Sequence, residues 1–142
     1  MKNKTALYAS VIALCACFAT PAISDTTVEC TKTCDGGKCF KGAVNDHEYC
    51  RSSTGMTWWA AFAWCERQGR TLTTVQQACV DWYGATGTSA CPNMANTQGD
   101  IWGWTANPSG SNAAFRVNLS SGNFNGSGSR DGTNVGYYAL CF

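Results

Sequence analysis

The chain has 142 residues, ten cysteines, fifteen glycines and three prolines, with 13% charged side chains and a formal net charge of +1. Ten basic and nine acidic residues, scattered in ones and twos, leave no electrostatic footprint for nucleic acid or an anionic membrane. At 44% apolar and 12% aromatic the composition excludes a disordered chain, and the length suits one packed domain.

Residues 1–24 read as a secretory signal. Lys2 and Lys4 form a basic start, residues 6–20 carry no charge and are too few to span a bilayer, and Ala22-Ile23-Ser24 supplies the small residues for cleavage before Asp25. A competing reading takes Leu14-Cys15-Ala16-Cys17 as a lipoprotein box that would leave Cys17 acylated; a cysteine two places before the modified one fits that box poorly. No later stretch is long and apolar enough to cross a membrane, so the expected destination is secreted, periplasmic or cell-surface.

Cleavage leaves Cys30, Cys34, Cys39, Cys50, Cys65, Cys79, Cys91 and Cys141, an even set in an oxidising compartment, and four disulfides are expected. A zinc site at the first four fails on spacing, because no pair is separated by two residues, and an even count spares no thiol for catalysis. Residues 25–50 are rich in cysteine and poor in aliphatic side chains, and read as a stapled N-terminal extension. Residues 51–142 hold all six tryptophans and form the domain able to bury a core.

The first predicted helix covers 58–68, entered through Thr57 as N-cap and closed by Gly69. Trp58, Ala61, Phe62 and Cys65 recur at i, i+3, i+4 and i+7, which turns Cys65 inward. A second helix over 75–83 carries Thr73-x-x-Gln76 capping-box spacing and an inner face of Val75, Ala78, Cys79 and Trp82. Strands are predicted at 101–105, at 115–119, where Phe115, Val117 and Leu119 alternate with Arg116 and Asn118, and at 137–142. Residues 120–136, crowded with Gly, Ser and Asn, read as one long loop, either functional or a flexible hairpin tip.

The run Met56-Thr57-Trp58-Trp59-Ala60-Ala61-Phe62-Ala63-Trp64-Cys65-Glu66-Arg67-Gln68-Gly69-Arg70-Thr71-Leu72 resembles the first helix and following turn of the C-type lectin-like domain. Tyr137-Tyr138-Ala139-Leu140-Cys141 is similar to that family's last strand, and Trp102-Gly103-Trp104 lies between, so the likeness covers roughly residues 47–142. The resemblance implies an α+β, C-type lectin-like fold: two helices, small antiparallel sheets and long loops, stapled by disulfides. It also implies the pairs Cys65–Cys141 and Cys79–Cys91, which would leave three possible pairings for Cys30, Cys34, Cys39 and Cys50.

The family's calcium and sugar motifs are Glu-Pro-Asn or Gln-Pro-Asp in the long loop and Trp-Asn-Asp before the last strand. Here Pro92-Asn93 follows Cys91, Arg130-Asp131-Gly132-Thr133-Asn134 holds no Trp-Asn-Asp, and from residue 84 onward only Asp100 and Asp131 supply carboxylates. Calcium-dependent sugar binding is therefore not expected, and no cofactor is. Enzyme chemistry finds little support either. His47, the single histidine, sits in Asp46-His47-Glu48, and neighbours on an extended segment point to opposite faces; nothing in the spacing joins Asp81, Asp100 and Asp131 as paired carboxylates.

What remains is recognition by surface. Trp102, Trp104, Asn107, Asn112, Arg116, Asn118, Asn123, Phe124, Asn125, Arg130, Asn134 and Tyr137 combine amides with aromatic rings and are the predicted ligand-binding set. Two of them have an alternative duty, since Trp102 and Trp104 share a strand face that a core would also use. The leading expectation is a secreted or surface-displayed module that binds a protein or glycan through its C-terminal loops without calcium. Some bacterial members of the family diversify such loops through a retroelement, and the Asn- and Ser-rich stretch is compatible with that. A structural surface or pilus-associated component and a small secreted hydrolase are the alternatives.

Overall fold

The computed structural model describes residues 30–44, 47–79, 91–131 and 137–142, which form a mixed α+β unit. Its strands are β1 (Gly37–Lys41), β2 (Glu48–Gly55), β3 (Trp102–Pro108), β4 (Ala113–Asn118), β5 (Phe124–Ser129) and β6 (Tyr137–Cys141). They lie in one sheet in the order β1-β2-β6-β3-β4-β5, antiparallel except for the parallel pair β3 and β6. Helices α1 (Trp58–Arg67) and α2 (Val75–Ala78) fall between β2 and β3 in the chain. The segment expected to be a signal, the part of the expected second helix beyond Cys79, Asp46, Asp81 and Asn134 lie outside the described residues.

Thr57 caps α1 as its sequence predicts, its side chain accepting from the Ala60 N–H at 3.2 Å. The helix ends in a Schellman arrangement, with Gly69 N–H to Glu66 O and Arg70 N–H to Cys65 O; Gly69 takes φ +66, a left-handed conformation that suits glycine. α1 buries Trp58, Ala61, Trp64 and Cys65 against β6 and β3, where Trp104, Ala114, Ala139 and Cys141 complete one core. The other face of the sheet carries Phe40, Tyr49, Val117, Leu119, Phe124 and Leu140, packed with Val75 and Ala78 of α2 and with Cys79, Cys91 and Met94.

Three features differ from the sequence expectation. The capping box belongs to Thr74 and Gln77, one place later than Thr73 and Gln76. Thr73 is drawn inward: it is fully buried, donates its N–H to Leu140 O and accepts from Ala106 N–H. The expected loop at 120–136 contains β5, whose glycines answer a packing demand, since a Cβ on Gly128 would lie 2.6 Å from the Trp104 ring. The expected extension at 25–50 contributes β1 and part of β2, and residue 50 falls inside β2, which is paired on both sides.

Four disulfides are formed: Cys30–Cys39, Cys34–Cys50, Cys65–Cys141 and Cys79–Cys91. Of the three pairings open to the first four cysteines, the sheet selects one. Cys39, Cys50 and Cys141 stand opposite one another across β1, β2 and β6, and each bonds out of the sheet, the first two to Cys30 and Cys34 in the segment before β1 and the third to Cys65 in α1. Among the described residues no helix is long and apolar enough to cross a membrane.

Candidate functional site

α1 packs over β6 and β3, and β4 and β5 extend past it. On that side of the sheet the register builds two cross-strand rows. Tyr137 stands opposite Trp102, and Trp102 opposite Asn118, whose N–H bonds Asn123 O; one step along, Ala139 stands opposite Trp104, Trp104 opposite Arg116, and Arg116 opposite Asn125. Side chains two apart on a strand share a face, so Tyr137, Trp102, Arg116, Asn118, Asn123 and Asn125 form one band across four strands.

Arg116 is the centre of this band. Its guanidinium carbon lies 4.1 Å from the Tyr137 ring centroid and 4.8 Å from that of Trp102, contacts of the cation–π type. Its Nε is sealed from solvent and has no hydrogen-bond partner, and among the described residues no carboxylate pairs with the group. Burial lowers its pKa from the ordinary value, yet a guanidinium keeps its charge at neutral pH. The result is a half-buried cation braced by two half-buried rings, with its Nε closed off from solvent.

The rest of the band is rich in donors. Among the described residues no partner engages the Trp102 indole N–H, the Tyr137 hydroxyl or the side-chain amide of Asn123, whereas the indoles of Trp58 and Trp104 donate to Thr105 O at 2.7 Å and Met56 O at 2.8 Å. Asn123 and Asn125 are exposed. Asn118 is buried and shapes the turn, accepting from Ser120 N–H and Ser121 N–H and donating to Asp100 at 2.7 Å. It supports the band from beneath.

Other predicted site residues are used elsewhere. Trp104 and Phe124 are core residues, at 0% and 2% exposure: the first packs edge-on against Tyr137 under α1, the second belongs to the opposite core. Asn107 accepts from Val75 N–H at 2.7 Å and so serves the start of α2. Arg130 is clamped to Ala113 O and Gly110 O, lies 4.5 Å from the Trp58 ring centroid, and receives the Trp58 N–H on its carbonyl. Asn112 is exposed and accepts the Arg130 N–H through its backbone. These four and Phe124 are therefore structural, or lie outside the band.

Trp59, outside the predicted set, is 56% exposed and donates to Asp131 at 3.0 Å. Its place opposite the Trp58, Ala61 and Cys65 stripe was the available signal. Of the polar run at 46–48, His47 packs edge-on against Phe142, and Glu48 accepts from Thr31 N–H and Oγ1 at 2.7 and 3.0 Å, which lowers its pKa. Cys30, Cys39 and Glu48 gather within 4.8 Å of one another, but both sulfurs are spent in a disulfide and offer no thiolate. Comparison with protein-family models and with curated proteins finds no match.

Proposed function

We propose that the protein is a secreted or surface-displayed binding module that recognises a protein or glycan partner without calcium, through the strand band centred on Arg116. The carrying observation is that band itself: a braced cation, an indole N–H, a hydroxyl and an amide on one sheet face, none of them engaged by a hydrogen-bond partner among the described residues. Half-exposed and exposed donors that no described residue engages, gathered on one sheet face, are available to an external partner. The proposed band lies on strand surfaces, whereas the sequence expectation assigned recognition to the C-terminal loops.

Four disulfides support residence in an oxidising compartment. The resemblance of the first helix and last strand to the C-type lectin-like domain supports a binding role, and the Cys65–Cys141 and Cys79–Cys91 bridges agree with the pairs it implies. Independence from calcium is supported by the carboxylates, because Asp100 bonds Asn118 while Asp131 bonds Trp59, so no shared point gathers them. The test is capture on glycan arrays and in protein pull-downs, performed in EDTA, with the Trp102→Ala and Asn123→Ala variants alongside. Capture that persists in EDTA and falls in both variants is the expected result; calcium dependence, or indifference to both substitutions, would overturn the reading.

A further inference from the structure

The band has a chemical bias that narrows its ligand. Arg116 offers only donors; its guanidinium lies over two rings and its Nε is sealed, which leaves the two Nη groups for recognition. The Trp102 indole offers a donor and no acceptor. Tyr137 and Asn123 add a hydroxyl and an amide, each able to donate. The carboxylate bonded to the band, Asp100, is engaged by Asn118 Nδ2 and lies beyond the Trp102 end of β3. One positive charge and a surplus of donors, with the neighbouring acid Asp100 held by Asn118 and no carboxylate among the described residues paired with Arg116, make a surface complementary to an oxyanion.

The geometry points to a saccharide carrying a carboxylate or sulfate as the partner of this band, an inference that rests on the binding-module reading above. A carboxylate or sulfate meets the guanidinium edge with two parallel hydrogen bonds, the arrangement that makes arginine preferable to lysine at such sites. The neighbouring sugar hydroxyls are then within the province of Asn123 and Tyr137, whose groups both donate and accept. Bracing by Trp102 and Tyr137 holds the guanidinium in place before the ligand arrives, so little side-chain freedom is lost on binding.

The disulfide-bonded full chain is titrated in EDTA with matched probes: sialyllactose against lactose, oligogalacturonate against its carboxyl-reduced form, and heparin oligosaccharide against its desulfated form. At least one acidic probe is expected to bind, with a loss on the order of tenfold or more when its acid group is removed and a similar loss in Arg116→Gln. Arg116→Lys retains charge without the planar edge and is expected to recover only part of the affinity. The first and second pairs report a carboxylate, the third a sulfate. Equal binding of acidic and neutral forms overturns the ligand class and leaves the binding-module reading standing, as does capture of a protein with no saccharide bound. Acidic binding unchanged in Arg116→Gln overturns the assignment to this band. Failure to capture any saccharide or protein overturns both. The matched-probe arms use the unaltered protein, so they decide the ligand class even if the variants fold poorly.

Discussion

Removing the bridge between α1 and β6 by the double substitution Cys65→Ala, Cys141→Ala is expected to be the most destabilising loss among the four disulfides. Its cysteines are 76 residues apart, and the chain-entropy relation gives about 4.5 kcal/mol for a loop of that length. The Cys30–Cys39 bridge closes only 9 residues, for which the same relation gives about 2.6 kcal/mol. Packing widens the gap: Cys65 and Cys141 are fully buried beside Trp104 and Ala61, so their truncation also leaves a void, whereas Cys30 and Cys39 are half-exposed. The assay is equilibrium urea unfolding under non-reducing conditions, comparing this variant with Cys30→Ala, Cys39→Ala, after peptide mapping shows the remaining three bridges intact. The first should lose roughly 2 kcal/mol more than the second, the difference of the two chain-entropy figures, or more once the void is included. Equal losses, or a smaller loss for Cys65 and Cys141, would refute the claim that this closure holds the helix to the sheet.

Three further perturbations follow from local geometry. Gly128→Ala drives a methyl to 2.6 Å from the fully buried Trp104 ring and is expected to cost about 1–3 kcal/mol by overpacking, while Gly110→Ala, which meets open space, should stay within about 0.5 kcal/mol; both are read by chemical denaturation. Thr74→Ala removes the side-chain bond to Gln77 N–H and half of the capping box on a one-turn helix, for a loss of about 1 kcal/mol by the same measurement. Burial pushes the Tyr49 phenol from 10.0 to about 12 while its hydroxyl donates to Gln77 O at 2.8 Å. The folded group keeps its proton to higher pH than the unfolded one, so its contribution is complete below about pH 10 and is lost as pH rises through about 12. Unfolding free energy measured across that window should fall in the native chain and fall less in Tyr49→Phe.

How far the sequence discloses this fold depends on whether local preference and tertiary demand agree. α1 was legible to within a residue because Thr57, the apolar stripe and Gly69 all ask for the same helix. β3, β4 and β6 were legible from alternation and aromatic content. β1 and β2 were not, since residues 30–50 lack the aliphatic pattern that marks a strand; the stacked Phe40–Tyr49 pair and the bridges from Cys39 and Cys50 hold them instead. β5 reads as loop because Gly126 and Gly128 have poor strand preference, and only the rings of Phe115 and Trp104 beside them explain why small residues are required. Similar reasoning separates the band from its false neighbours. Trp102 and Trp104 are indistinguishable by spacing, yet one ends in the band and the other under α1, a difference set by how far the helix reaches along β3.

The distribution of covalent closure bears on what the band can tolerate. Three of the four bridges meet the sheet at Cys39, Cys50 and Cys141, in the half formed by β1, β2 and β6. β3, β4 and β5 carry no cysteine, and the remaining bridge reaches them through Cys91, whose N–H bonds Gly122 O in the turn that leads into β5. Chain-entropy stabilisation acts on the whole domain wherever the bridge is placed, because it works by restricting the unfolded chain. Side chains on the β3–β4–β5 half can therefore be selected for what they meet outside the protein instead of for what they hold within it. Asn123 illustrates the point, being exposed at the entry to the edge strand β5; a substitution there should shift stability by no more than about 0.5 kcal/mol while altering capture. Trp104 is the counterexample in the same sheet, since it is sealed beneath α1 and its indole N–H holds Met56 O, and a change there removes the platform on which Tyr137 rests.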